Sequence, residues 1–439
     1  MIQKISKLIS SHLNSHKELI QNFFYKGSHL IFKEGIFFLI FIISAFFLSP
    51  YLFGVFNYVL AVIFLLVILV NFGISQSSST LTAKFNNTNR KDEISYVFFN
   101  SLLLILILAI IIFLIMILFG SFIFNEEYIN FIIFALPLIF LIPTLSVIEG
   151  IYSGQKKFKQ LSIITIGVGM LTSFLIFVLV AMFDIIGAII SYILFVGLLS
   201  LVLILKSGKK NFILKKPILK EIGSYSLILG FGGVAFYLFS KVDFIFLEVF
   251  GFIEEIGYYA IVIKVINLLI LPFVVFGTII APNINKLYHN LEFDKLRDLF
   301  KMYIFFGFLV SIVLIIIAYI TIPFLIFNFL PQYYTDELIL MLNLLLPLLI
   351  IKSVGAGIVT IGFTVPTGYA KVNLYILIIC SLLNLILNYI FLVMFGFIGV
   401  IYSTIIVWTI SNISLISVFY YIISYSKDFK KRNQLENKY

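Results

Sequence analysis

The chain has 439 residues, 62% of them hydrophobic and 11% charged, and a formal net charge of +10. Its mean hydropathy of +1.17 lies far from soluble globular composition and marks a membrane protein. A single cysteine, Cys380, excludes an intrachain disulfide, and its apolar neighbours read as those of an inert buried thiol.

In chain order, residues 1–27 read as a cytoplasmic amphipathic segment. Ile2, Ile5, Leu8, Ile9 and Leu13 recur at helical spacing with Lys4 and Lys7 between them, the pattern of an interfacial helix; a plain disordered tail is the alternative. This polar start leaves no cleavable signal peptide to be expected. Twelve apolar stretches follow, each near the roughly 20 residues that cross a bilayer as helix. They are 28–49, 55–75, 95–120, 128–153, 160–182, 185–205, 221–247, 256–281, 300–327, 337–362, 372–394 and 397–424. Lipid offers the backbone no hydrogen-bonding partner and no alternating strand pattern suggests a barrel, so the fold class is all-α and polytopic.

All but four of the 30 basic residues fall in the N-terminal segment, in the breaks after even-numbered spans, or in the tail. The odd-numbered breaks carry acids instead, among them Glu126, Glu127, Asp184, Glu254, Glu255, Asp336 and Glu337. Positive charge is retained inside, so both termini are expected to be cytoplasmic in a multi-pass cell (inner) membrane protein. The net charge then serves topology and anionic membrane lipids, and nucleic acid is not an expected partner.

The chain repeats itself. "AMFDIIGAIIS" (Ala181 to Ser191) matches "VMFGFIGVIYS" (Val393 to Ser403) at an offset of 212, and "LPLIFLI" matches "LPLLIIK" at 210, setting Pro137 opposite Pro347. Phe72-Gly73 answers Phe276-Gly277 at an offset of 204. Ordered matches at drifting offsets indicate a duplicated six-span unit, and an even span count makes the copies parallel. The expected organisation is an N-lobe over 28–205, a basic linker over 206–220, a C-lobe over 221–424 and a basic cytoplasmic tail over 425–439.

Four stretches carry a family resemblance. "SLLNLILNYIFLVMFGFIGVIYSTI" (Ser381 to Ile405), with its paired asparagines and glycines, resembles the eleventh and twelfth spans of O-antigen type polysaccharide flippases. These belong to the multidrug/oligosaccharidyl-lipid/polysaccharide exporter superfamily. "VDFIFLEVFGFIEEIGYYAIVIKV" (Val242 to Val265) followed by "IIAPNINKLYHN" is similar to their seventh and eighth spans, and "FNEEYINF" and "EGIYSGQKKFKQLSII" to their third-to-fifth region. The resemblance runs from about Gly27 to Trp408. It implies two six-helix lobes around a central cavity, moving a polyprenyl-pyrophosphate-linked oligosaccharide from the cytoplasmic to the outer leaflet by alternating access. It also implies surface polysaccharide biosynthesis as the setting, with a polysaccharide polymerase as partner.

The four remaining basic residues, Lys33, Lys241, Lys264 and Lys352, lie within spans, as do the acids Glu34, Glu149 and Asp243. A lysine at mid-membrane costs about 2.5–3.5 kcal/mol, so these side chains should face water or a partner. Lys241 and Asp243 are two residues apart, about 200° around a continuous helix, and are not placed to pair with each other. One ammonium about 4 Å from one phosphate charge is worth roughly 4 kcal/mol before desolvation. The functional reading makes Lys241, Lys264, Lys352 and Lys33 substrate-binding, with Asp243, Glu34 and Glu149 as coupling or partner carboxylates. Snorkelling and interhelical salt bridges are the alternative.

Tyr237, Tyr258 and Tyr259 read either as an interfacial aromatic belt or as sugar-stacking rings. Prolines 137, 143, 272 and 347 are expected to interrupt their spans. Histidines 12, 16, 29 and 289 show no metal-ligand spacing within the spans, and there is no phosphate-binding glycine loop, so neither cofactor nor enzymatic activity is expected. A cation-coupled multidrug exporter of the same superfamily is the main rival. It would be expected to build its cavity around carboxylates, whereas here the embedded bases outnumber the acids. A major-facilitator transporter would also have twelve spans in parallel halves, but the second-to-third loop "SQSSSTLTAKFNNTNRKDE" lacks that family's glycine, aspartate and arginine signature, and a noncatalytic membrane scaffold would not need embedded lysines.

Overall fold

The computed structural model describes residues 2–90, 92–207 and 213–436; side chains at 2–20, 23, 228 and 425–436 lie outside the described set. The amphipathic placement of Ile2, Ile5, Leu8, Ile9 and Leu13, and Lys209 and Lys210 of the linker, therefore fall outside it. Among the described residues all regular structure is helical. In order the helices are α1 (Ile2–Phe47), α2 (Pro50–Asn71), α3 (Ile74–Asn87), α4 (Glu93–Ile123), α5 (Glu126–Ala135), α6 (Leu138–Gly154) and α7 (Phe158–Lys206). There follow α8 (Lys216–Ser240), α9 (Val242–Val249), α10 (Ile253–His289), α11 (Phe293–Phe329), α12 (Asp336–Leu345), α13 (Leu349–Lys352), a π-helical segment (Ser353–Thr364), α14 (Ala370–Phe395) and α15 (Ile398–Glu436).

Among the described residues, eleven helical stretches are long and apolar enough to cross a membrane. One of them, α7, has 49 residues, about 70 Å at 1.5 Å per residue, twice what a bilayer core of about 30 Å accommodates. At Asp184 its backbone turns to φ 48°, ψ −126°, splitting it into two crossings. The chain is thus a multi-pass membrane protein with the twelve crossings expected from hydropathy.

The contacts divide the protein into two units. Unit 1 comprises residues 1–48 and 59–234; unit 2 comprises 49–58 and 235–439. In unit 1, α1 packs along α7, and α3 along α6. In unit 2, α10 packs along the π-helical segment and α14 along α15. An aromatic core of Phe300, Phe363 and Phe419, with ring centroids 5.1–5.6 Å apart, fills one end of unit 2.

The sequence repeat is also a structural one. Asp184 in the first copy and Gly396 (φ 62°, ψ −148°) in the second occupy the same unusual backbone region, 212 residues apart. Three residues on, Gly187 lies against the carbonyl of Leu179, and Gly399 against that of Phe391. Both approaches leave no room for a Cβ, so each copy makes one hairpin of two spans with one backbone turn. Pro137 and Pro347 likewise both stand at helix breaks, the first between α5 and α6, the second in a 3₁₀ turn between α12 and α13.

Other expectations are corrected. Pro143 and Pro272 lie inside continuous α6 and α10 and do not interrupt them. The repeat at Phe72-Gly73 holds in sequence only: these residues break the chain between α2 and α3 (φ 28° and 79°), whereas Phe276-Gly277 runs inside α10. The polar stretch beginning "SQSSST", expected as the second-to-third loop, lies in the helix α3. Its hydroxyls bond their own helix, Ser77 to the Gly73 carbonyl at 3.0 Å and Ser78 to that of Ile74 at 2.7 Å. Hydroxyls satisfied this way let a polar helix lie buried against α6.

Candidate functional site

Four of the charged residues singled out from sequence, Lys241, Asp243, Lys264 and Lys352, fall in unit 2. The helix that carries the first pair is not continuous. It stops at Ser240 and restarts as α9 at Val242, with Lys241 between at φ −137°, ψ −14°. The interruption re-aims the two side chains. Lys241 turns its ammonium over the Phe244 ring, 4.8 Å from the centroid, a cation–π contact.

Asp243 is buried at 2% exposure and is held by uncharged donors. Asn388 donates to Oδ1 at 2.7 Å, Asn384 to the same oxygen at 3.0 Å, and the Tyr259 hydroxyl to Oδ2 at 2.7 Å. Three donors on one carboxylate satisfy its buried oxygens, with no ammonium at ion-pair distance among the described residues. The cradle extends outward: Ser403 donates to Asn384 Oδ1 at 3.1 Å, and Thr404 lies 3.0 Å from the Tyr259 hydroxyl. Asn384 and Asn388 are four residues apart, which puts both amides on one face of α14, and Ser403 and Thr404 arrive from α15 through the Gly396 turn.

Lys352 ends α13 immediately before the π-helical segment. Its ammonium lies 3.4 Å from the centroid of the Trp408 ring and donates to Asn267 Oδ1 at 3.1 Å. Lys241 is within electrostatic range of both Lys264 and Lys352. Among the described residues neither Lys241 nor Lys352 has a carboxylate at ion-pair distance. Unit 2 therefore concentrates positive charge steadied by aromatic faces and an amide.

Unit 1 arranges its charges differently. Lys33 on α1 is paired with Glu149 on α6, Nζ to Oε2 at 2.9 Å, and His29 Nε2 lies 3.4 Å from Glu149 Oε1. Lys33 is thus neutralised where it stands. Glu34 is exposed, within electrostatic range of Tyr192.

The tyrosines fit neither sequence-based alternative as a set. Tyr237 and Tyr259 are each 1% exposed, too deep for a headgroup belt or for stacking on a sugar, and Tyr259 is committed to Asp243. Tyr258 donates to Glu254 at 2.6 Å. Sequence reasoning missed Asn384, Asn388 and Trp408 as site residues. Paired asparagines at i, i+4 in an otherwise apolar span were the available signal, since buried amides need partners.

Among the described residues no group of three or more His, Cys, Asp and Glu side chains gathers to hold a metal.

The model of a family described as polysaccharide biosynthesis protein matches residues 19–288. The chain belongs to that family. Among solved structures it is similar to an inward-facing multidrug resistance MATE family transporter of the MOP superfamily, at 19% identity, TM-score 0.76, over 90% of this chain and 95% of that one. A MOP superfamily transporter from Pyrococcus furiosus, described as having a binding pocket of reverse polarity that suggests a different function, aligns at 18% identity and TM-score 0.64. That alignment covers 94% of this chain and 96% of the other. An outward-facing multidrug resistance MATE family transporter matches at 18% identity and TM-score 0.63, over 94% and 96%. No curated protein matches the sequence significantly. At these identities the likeness is one of fold, a fold shared with membrane transporters of this superfamily.

Proposed function

We propose that this protein is a flippase. It carries a polyprenyl-pyrophosphate-linked oligosaccharide from the cytoplasmic to the outer leaflet of the cell (inner) membrane by alternating access, for surface polysaccharide biosynthesis. Lys241, Lys264 and Lys352 attract the pyrophosphate, and Asp243 is the coupling carboxylate. The observation that carries this reading is the electrostatic grouping of the three lysines in unit 2, where Lys241 and Lys352 rest on aromatic rings and an amide. Asp243 is meanwhile satisfied by neutral donors. An ammonium held by a ring or an amide is exchanged for a phosphate more readily than one locked to a carboxylate.

Membership of a polysaccharide biosynthesis family supports the cargo class, and a structural neighbour described as having a binding pocket of reverse polarity lends support to a cavity of altered charge. Lys33, already paired with Glu149, takes a smaller share in binding. Both termini face the cytoplasm in this reading, with a polysaccharide polymerase acting on the delivered unit.

The test is the sidedness of lipid-linked oligosaccharide in cells. Loss of the protein is expected to accumulate it on the cytoplasmic leaflet, and Lys241→Ala and Lys352→Ala to do so with folded protein undiminished. Normal sidedness in the deletion, or in both variants, refutes the proposal. Extrusion of cationic drugs that depends on Asp243 but not on the lysines would instead establish multidrug export.

A further inference from the structure

Lys352 is placed by the backbone that follows it. The π-helical segment Ser353–Thr364 opens at the next residue, and a π-helix, bonded from i to i+5, aims its side chains differently from an α-helix. Neighbours on two sides hold this segment in register. Toward α10, Gly357 lies against Phe273, and its carbonyl lies against Gly277. Toward α15, Gly355 lies against Asn412, where a Cβ would run into the carboxamide and come within 2.6 Å of the Asn412 Cβ. The same two helices supply both partners of the Lys352 ammonium, Asn267 from α10 and Trp408 from α15.

Asn412 is 3% exposed. Its Nδ2 donates to the Trp408 carbonyl at 2.7 Å, one turn back. Its Oδ1 is buried with no hydrogen-bond partner among the described residues. A buried carbonyl left unsatisfied costs stability, and an alanine at 412 would not carry that cost. Packing alone therefore gives no reason for an amide here. Lys352 and Gly355 are three residues apart, and Trp408 and Asn412 four, so ammonium on ring and carboxamide on glycine occupy adjacent turns of one seam. The Asn412 amide is tied to the turn that bears Trp408, and its oxygen is set against the turn that follows Lys352.

We propose that Asn412 and Gly355 are positioning residues for Lys352: their contact fixes the π-helical segment against α15 and so seats the ammonium on the Trp408 ring. Its importance for transport rests on the reading of Lys352 as a phosphate-binding residue; the seating itself does not. A seated ammonium is presented at one place instead of over the whole reach of a lysine side chain, which leaves less ordering to be done when an anion arrives.

Trp408 is the single tryptophan, so its emission reads the seating in the purified full chain in lipid nanodiscs, with Lys352→Met defining the spectrum of the unseated ring. Asn412→Ala is expected to shift the emission toward that spectrum without lowering the melting temperature, since the oxygen it removes has no partner. It is also expected to raise the concentration of inorganic pyrophosphate that gives half the emission change. Gly355→Ala is expected to shift the spectrum further, and Gly355→Ala with Asn412→Gly, which moves the Cβ from one helix to the other, to restore part of it. In the Lys352→Met background Asn412→Ala is expected to leave the emission unchanged. A parent spectrum in Asn412→Ala, which would make Asn412 packing only, overturns the proposal. So does an equal shift from Asn412→Ala with and without the lysine, which would place the effect on the ring and not on the ammonium. A parent that gives no pyrophosphate response while the unliganded spectra behave as stated supports the seating and refutes the anion reading of Lys352.

Discussion

The three donors on Asp243 differ in what they would lose with it, and this makes substitutions there informative. The Tyr259 hydroxyl has Thr404 at 3.0 Å as a second partner, and Asn384 Nδ2 has the Leu238 carbonyl at 3.2 Å. Among the described residues Asn388 Nδ2 has Asp243 alone, and its Oδ1 is buried without a hydrogen bond. In Asp243→Ala two donors therefore keep an acceptor and one is stranded, which costs about 1–3 kcal/mol for a buried unpaired group. Asp243→Asn retains one oxygen for the two asparagines and presents an NH₂ to Tyr259, whose hydroxyl can reverse and donate to Thr404. Its expected cost is below about 1 kcal/mol, one hydrogen bond's rearrangement. Asn388→Leu in the Asp243→Ala background removes the stranded amide and is expected to recover most of the loss, a non-additive pair. Thermal unfolding of the purified full chain in one detergent ranks these three variants and Asn388→Leu alone. Transport is expected to fail in both Asp243 variants, since both lack the charge. Equal stability of Asp243→Ala and Asp243→Asn, or additivity with Asn388→Leu, would refute the assignment of Asn388 as the dependent donor.

The repeated turn offers a second test: Asp184→Gly is expected to raise stability and Gly396→Asp to lower it. A side-chain-bearing residue in that backbone region costs about 1–3 kcal/mol, of which glycine's freedom in the unfolded chain returns about 1; opposite shifts in melting temperature check it. Gly187→Ala and Gly399→Ala, whose Cβ atoms would meet a backbone carbonyl, are expected to lose more than Gly396→Asp, read as the yield of monodisperse protein. Trp408 is the single tryptophan of the chain, so its emission reports the Lys352 contact without interference. Added inorganic pyrophosphate is expected to change that emission in the parent and leave it unchanged in Lys352→Met; the same response in both would dissociate Lys352 from anion binding.

By itself the sequence determined what depends on composition and periodicity. Long apolar runs must become helices because the bilayer leaves no other way to satisfy the backbone, so the all-α class and the twelve crossings were legible. The duplication was legible for the same local reason: the turn at Asp184 and Gly396 needs small residues at fixed spacing, and the repeat preserves that spacing. Embedded Lys241 and Lys352 stood out because charge in an apolar span is costly.

Which groups meet was decided only by tertiary packing. Asp243 finds donors on α10 and α14, well over a hundred residues away in the case of Asn388, and no pattern near Asp243 announces them. The break at Lys241 undid the continuous-helix geometry on which its relation to Asp243 was reckoned. "SQSSST" read as a loop because its hydroxyls look solvent-seeking until they are seen bonding their own helix. His29 has no visible partner in one dimension; Thr165 and Glu149 are brought to its ring from two other helices, because contacts of this kind belong to neighbours in space and not in sequence.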